Sequence, residues 1–267
     1  MTGEEMSRVI TNDGCAIGCI QAGAGDAVPV VLLHGVGSDK SVWHPQLAHF
    51  ATQRRAIAFD YPGYGDSDPA PQGTTRDDYA RAIWSALDAL GVDRAHICGL
   101  SLGGVIAIAM HAAAPQRCAS LILADTFALH PQGQAIYDRS VAALRDGTLR
   151  AFAEARVDFL LHQPADPAVR SEVIETMAAI DASAYRIGAE AVWLADQRER
   201  ALALRVPTLI ICGSDDKPTP PELSDALHAL IAGSRLAMVE RAGHLTNLEQ
   251  PEIFNDLVET FLDEVES

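Results

Sequence analysis

Ala95-His96-Ile97-Cys98-Gly99-Leu100-Ser101-Leu102-Gly103-Gly104-Val105-Ile106-Ala107-Ile108 decides the reading of this chain. Its first four residues are a short apolar strand pattern. Gly104 to Ala113 is an apolar helix pattern that stops at Pro115, whose ring and missing N–H end a helix. Between the two stands G-x-S-x-G, Gly99 to Gly103. A serine at so sharp a strand-to-helix turn is held in a strained backbone conformation, with its hydroxyl lifted to the helix N-terminus. There, free N–H groups and the helix dipole favour developing negative charge. Glycines two residues to either side carry no Cβ and leave the turn its room. Ser101 is therefore a candidate nucleophile. The same letters also occur in plain glycine-rich turns; the flanking strand and helix separate the two readings.

A serine hydroxyl is a weak nucleophile and needs a base, usually His, oriented by a carboxylate. At an elbow of this kind the acid and then the His follow in chain order. Val206-Pro207-Thr208-Leu209-Ile210-Ile211-Cys212 reads as a strand ending at Gly213, with Asp215 and Asp216 just beyond it. Asp125 follows another apolar strand, Leu121 to Ala124, and competes with them as the acid. Glu222 to Ile231 reads as a helix and Arg235 to Val239 as a strand, and His244 closes the loop after it. Loops at the carboxyl ends of strands are where open α/β sheets build their sites.

His244 is the one histidine that follows a strand beyond the acid loop, which makes it the candidate base. His96 falls within a strand, and His111 and His228 within helices; these are packing or surface positions. His44, His49, His130 and His162 have no evident partner in the sequence. His34 opens the loop His34-Gly35-Val36-Gly37 after the apolar strand Val28 to Leu33, and reads as architectural. Two backbone N–H groups are expected to hold an oxyanion: that of Leu102, next to the nucleophile, and that of Val36, in the loop after the third strand.

Residues 1–126 alternate strand and helix patterns: strands over Ile17 to Gln21, Val30 to Leu33 and Ala56 to Phe59, then a helix over Thr75 to Leu90. Such alternation argues for a parallel sheet covered on both faces. From Gln132 to about Leu204 nothing reads as a strand. This Ala-rich stretch, broken at Gly147, Pro164, Pro167 and Gly188, predicts about four helices inserted between the sixth and seventh strands. The resulting division is a core over 1–126, a helical cap over 127–204 and the rest of the core over 205–267. A cap at that sheet edge roofs the site and excludes water, and Phe127, Phe152, Phe159, Leu160, Tyr185 and Trp193 are its candidate pocket-lining residues.

The chain has 267 residues, enough for one α/β core plus an insertion, and a net charge of −16. No basic run appears, which argues against nucleic acid and anionic membrane surfaces as partners. The acidic N-terminus is no signal peptide, and no apolar run reaches spanning length. Cys15, Cys19, Cys98, Cys118 and Cys212 lack metal-ligand spacing; a reduced, cytoplasmic thiol set is the simplest reading.

His34-Gly35-Val36-Gly37, Asp60-Tyr61-Pro62-Gly63-Tyr64-Gly65-Asp66-Ser67, Gly99 to Gly104, Gly213-Ser214-Asp215-Asp216 and Ala242-Gly243-His244 stand together in an order that resembles the α/β-hydrolase fold enzymes. Within them the chain is most similar to the 3-oxoadipate enol-lactonase and carboxylesterase branch. That similarity rests on Gly35 to Asp39 through Trp43, Pro207-Thr208-Leu209 to Pro220-Pro221, and His244 to Glu249. One departure is His34-Gly35, where many enol-lactonases carry a serine-containing variant. The resemblance implies an α/β fold with a mostly parallel eight-stranded sheet, flanking helices and an inserted helical cap. It maps a triad onto Ser101, Asp216 and His244, and implies a serine hydrolase acting on a small carboxylic ester or lactone, with no cofactor and no metal. Two rivals share the site: carbon–carbon bond hydrolysis of ring-cleavage diketones, and a slow-turnover ligand receptor. Dehalogenases and epoxide hydrolases are disfavoured, because they need a carboxylate where Ser101 stands.

Overall fold

The computed structural model describes residues 3–267. Among these, eight strands form one sheet: β1 (Glu5–Ile10), β2 (Ala16–Ala22), β3 (Val30–Leu33), β4 (Ala56–Phe59), β5 (Ala95–Leu100), β6 (Cys118–Ala124), β7 (Thr208–Gly213) and β8 (Arg235–Val239). Their order across the sheet is β1-β2-β4-β3-β5-β6-β7-β8. β2 pairs antiparallel with both β1 and β4; every later pairing is parallel. Every residue of β3 through β7 is buried. That is the behaviour of parallel strands covered on both faces, and it explains their unbroken apolar runs.

The strand at the amino end was not legible. Of β1 only Val9 is buried, so its sequence, Glu5-Met6-Ser7-Arg8-Val9-Ile10, shows no apolar face to betray it. Its ladder with β2, from Glu5 opposite Gln21 to Ile10 opposite Ala16, makes it an edge strand.

Helices α1 (His44–Phe50), α2 (Arg76–Ala89) and α3 (Leu102–Ala113) belong to the first half of the chain. α2 begins where the sequence predicts: the Thr75 side chain accepts from the Asp78 N–H, and the Asp78 side chain accepts from Thr75 in return, a capping box closed by Asp. α3 starts two residues before its predicted apolar run, directly after Ser101. Between β6 and β7 lie α4 (Gly133–Asp146), α5 (Leu149–Leu160), α6 (Pro167–Ala179), α7 (Ala182–Trp193) and the five-residue α8 (Arg198–Leu202). The sequence predicts about four helices here, with a break at Gly188; instead the chain turns at Ile180 and Asp181, α8 is added, and Gly188 lies inside α7, where a Cβ would stand 2.0 Å from the Tyr64 hydroxyl. α9 (Pro221–Leu230), α10 (Thr246–Glu249) and α11 (Pro251–Glu266) complete the chain. No helix among the described residues is long and apolar enough to cross a membrane.

The topology places the site. The chain passes from β3 to β4 on one side, then returns past β3 to β5 on the other. The strand order therefore reverses between β3 and β5, and the crevice outside their carboxyl ends is the expected ligand position. The loops after β3, β5, β6, β7 and β8 all leave the sheet at that same edge, because these strands are parallel.

Candidate active site

Ser101 has φ 55° and ψ −113°, a left-handed conformation that a non-glycine residue adopts only when its surroundings enforce it, at about 1–3 kcal/mol. The enforcement is visible. A Cβ on Gly99 would stand 2.2 Å from the Gly103 carbonyl oxygen, and one on Gly103 would stand 2.0 Å from that of Leu33. α3 is thus pressed against the end of β3 with no room for a side chain. Thr126 Oγ1 donates to the Ser101 carbonyl oxygen at 2.8 Å and braces the turn from the β6 loop. Gly103→Ala is expected to cost about 3 kcal/mol or more, the upper end of overpacking, since the obstacle is backbone that cannot rotate aside. Urea unfolding checks it.

His244 lies between two partners. Its Nε2 is 3.0 Å from Ser101 Oγ, and its Nδ1 is 2.9 Å from Asp216 Oδ2. With Nδ1 protonated toward the carboxylate, Nε2 is left to accept the serine proton. Thr219 fixes Asp216: its N–H donates to Oδ1 at 2.8 Å and its hydroxyl to Oδ2 at 2.6 Å. All three predicted residues are buried. Burial alone pulls the His244 imidazole down, but the negative charge and hydrogen bond of Asp216, helped by Asp125, hold it above the ordinary histidine value.

The two rival acids point elsewhere. The carboxylate of Asp215 meets His162 Nδ1 at 2.6 Å and ties the β7 loop to the helical insert. Asp125 accepts from the Gly213 N–H at 2.9 Å and from the Thr246 hydroxyl at 2.6 Å, joining the loops after β6, β7 and β8. Burial, then the neighbouring charge of Asp216, raises its carboxyl to about 7. Asp125, Cys212 and Asp216 converge closely enough to suggest a metal site. The two carboxylates are already engaged by the loops around them: Asp125 by the Gly213 N–H and the Thr246 hydroxyl, and Asp216 by Thr219 and His244.

Gly35, Val36 and Leu100 stand around Ser101 in one chamber. Tyr61 and Tyr64 steady the β3 loop, donating to the carbonyls of His34 at 2.9 Å and Val36 at 3.2 Å. Among the described residues, the N–H groups of Val36 and Leu102 have no protein acceptor. His34 is fully buried, with its Nδ1 2.8 Å from the Gly35 carbonyl oxygen and its Nε2 without a partner among the described residues. Leu160, Tyr185 and Trp193 line the chamber, while Phe152, Phe159 and Trp193 line a cleft beside it. Phe127 lines neither; it stacks on Trp193, with ring centroids 5.9 Å apart.

The model of the α/β hydrolase fold family matches residues 28–251. The chain belongs to the α/β hydrolase fold family. It is 27% identical to 3-oxoadipate enol-lactonase 1 of Acinetobacter baylyi over 268 residues, covering 97% of this chain and 98% of that protein. It is 29% identical to a putative carbamate hydrolase, RutD, of Azorhizobium caulinodans, covering 91% and 94% of the two chains. A solved thermophilic esterase from Thermogutta terrifontis superposes with a TM-score of 0.90 at 26% identity, over 98% of this chain and 100% of that one.

In this α/β hydrolase several supporting residues escape a reading of the sequence. Glu249 is one. Its carboxylate accepts from the Gly243 N–H at 2.7 Å and from the His162 N–H at 2.6 Å, while the His244 N–H donates to the Leu160 carbonyl at 2.7 Å. The loop carrying the histidine is thereby bound to the end of α5. Glu249 stands five residues after His244, and nothing in that spacing announces the contact with the insert. The histidines without evident partners have them in space: His44 pairs with Glu4, His49 with Glu259, His162 with Asp215, and His130 lies 3.2 Å from the Pro218 carbonyl. Each partner lies far away in sequence, which is why none was foreseen.

Proposed function

We propose that this hydrolase cleaves a small carboxylic ester or lactone through an acyl-enzyme. The hydrogen-bonded line from Ser101 through His244 to Asp216 carries this reading. Ser101 Oγ attacks the carbonyl carbon as His244 Nε2 takes its proton. The oxyanion is held by the N–H groups of Val36 and Leu102, each worth about 3 kcal/mol by comparison with measured donors. His244 returns the proton to the departing oxygen. It then activates a water that releases the acid, while Asp216 stabilises the imidazolium throughout. Likeness to proteins named enol-lactonase and esterase supports an ester or lactone carbonyl. Likeness to a putative carbamate hydrolase supports a second reading, the same acyl transfer at a carbamate.

A fluorophosphonate tests the proposal directly. It is expected to add one adduct, on Ser101, and to stop p-nitrophenyl acetate turnover in step. Failure to label the folded protein overturns the acyl-enzyme. Rates on matched ester and carbamate pairs then separate the two carbonyl classes.

The pH profile follows from His244. Only the neutral imidazole accepts the proton, so kcat/KM rises with pH as His244 loses its charge. Since Asp216 holds the imidazole above the usual 6.5, the midpoint of the acid limb is expected above 6.5, and Asp216→Asn is expected to lower it. A limb centred at or below 6.5, with chemistry limiting, contradicts the ion pair.

A further inference from the structure

The chamber over Ser101 has a volume of about 30 Å³, room for little beyond the reacting carbonyl. Beside it lies a cleft of about 590 Å³. Arg156 and Trp193 line both and so stand at their boundary. The charge of this cleft runs against that of the molecule. The chain holds 36 acidic residues against 20 Lys and Arg, yet the cleft is lined by Arg139, Arg156 and Lys217 and, among the described residues, by no Asp or Glu. The chamber wall has no acidic residue either.

Arg156 is also unlike its neighbours. Arg150 and Arg170, on α5 and α6, take carboxylate partners, Glu175 and Asp158. Arg156 instead lies with its guanidinium over the Phe152 ring, 5.0 Å from the centroid. Its Nε is buried and meets no acceptor among the described residues, and the same holds for Trp193 Nε1. Buried donors are normally satisfied. Of the nine buried side-chain atoms without a partner among the described residues, these two alone lie on side chains that line chamber and cleft, where the ligand can bring the acceptor. A planar guanidinium fork suits a carboxylate, and a cleft walled by one sign of charge concentrates its counter-ion.

We infer that the substrate carries a carboxylate on a flexible arm that runs from the chamber into the cleft, and that Arg156 reads it, with Arg139 and Lys217 adding their field. This rests on the ester or lactone reading above and names the class of substrate within it.

The test uses binding, so that it stands apart from turnover. Ser101→Ala protein is titrated by calorimetry with monomethyl adipate and with its terminal amide, which has nearly the same shape and no charge. The anion is expected to bind at least about tenfold tighter, the scale of one charge-assisted hydrogen bond, and the preference is expected to shrink as salt is raised. Adding Arg156→Gln is expected to bring the ratio to about one; Arg156→Lys is expected to keep part of it. Equal binding of the two ligands, binding of neither, or an equal loss of both affinities in Arg156→Gln overturns the inference. So does competition by inorganic phosphate but not by adipate, which assigns the cleft to another anion. Failure of the hydrolase reading is seen separately, as absent fluorophosphonate labelling of the wild-type chain.

Discussion

Ser101→Ala is expected to lower ester turnover by about 10⁶-fold, the scale seen when the nucleophile is removed from other triads, and to leave the fold intact. The hydroxyl contacts His244 Nε2 and carries none of the sheet's packing. Gly99, Gly103 and Thr126 hold the turn whether or not Oγ is present. The melting temperature should therefore stay within about 3 °C, corresponding to roughly 1 kcal/mol in a chain of this size. Steady-state rates and circular dichroism measured together decide the matter. More than a few per cent of activity in a normally folded variant places the chemistry elsewhere.

Asp216→Asn carries the next largest effect, up to about 10⁴-fold by comparison with the same change in a serine protease. An amide at this position presents the wrong group to Nδ1, or turns the imidazole to its other tautomer and strands Nε2 with a proton where it must accept one. Asp215→Asn removes only a half-exposed pair with His162, worth about 1 kcal/mol or less, and should leave turnover nearly unchanged. Asp125→Asn tests the remaining rival. Its carboxyl, ordinarily at 3.8, titrates at about 7 in the folded chain. The stability due to the protonated form is therefore complete below 3.8 and is lost as pH rises through 7. Asp125→Asn should flatten the dependence of melting temperature on pH between these limits, with a smaller loss of turnover than Asp216→Asn. If Asp125→Asn is the crippling change and Asp216→Asn is tolerated, the acid belongs to the β6 loop.

Residues that act through local pattern were legible; residues that act across the fold were not. Ser101 is announced by a strand, a turn and a helix contiguous in sequence, and β3 through β7 by apolar runs that only a doubly covered parallel sheet needs. His244 follows from a strand end, because a parallel sheet brings all such ends to one edge; the same reasoning left Asp125, Asp215 and Asp216 open as the acid, and only the family resemblance singled out Asp216. β1 was missed because an edge strand with one buried residue has no hydrophobic period. Thr219, Glu249 and Tyr61 were missed as supports because each completes a hydrogen bond whose other half is remote or belongs to a loop without regular geometry. Phe127 was one of six candidates for the pocket lining, against the plainer reading that each packs the cap, and it stacks on Trp193; aromatic composition gives the material of a roof but not which side of it each ring takes.

The ladder between β6 and β7 has one more consequence. Leu121 to Ala124 pair with Thr208 to Ile211, so the ends of the inserted segment are fixed side by side in the sheet, whatever lies between them. Closing a loop costs entropy that grows only with the logarithm of its length, about 0.6 kcal/mol for each doubling. An insert of roughly 80 residues is therefore a small burden on folding once its stem is paired. Length alone is cheap there; what ties the insert down is contact, chiefly the bonds of Leu160 and His162 to the loops that carry His244 and Asp215. The pairing that closes the sheet is in this way indifferent to how much chain is threaded between its two strands.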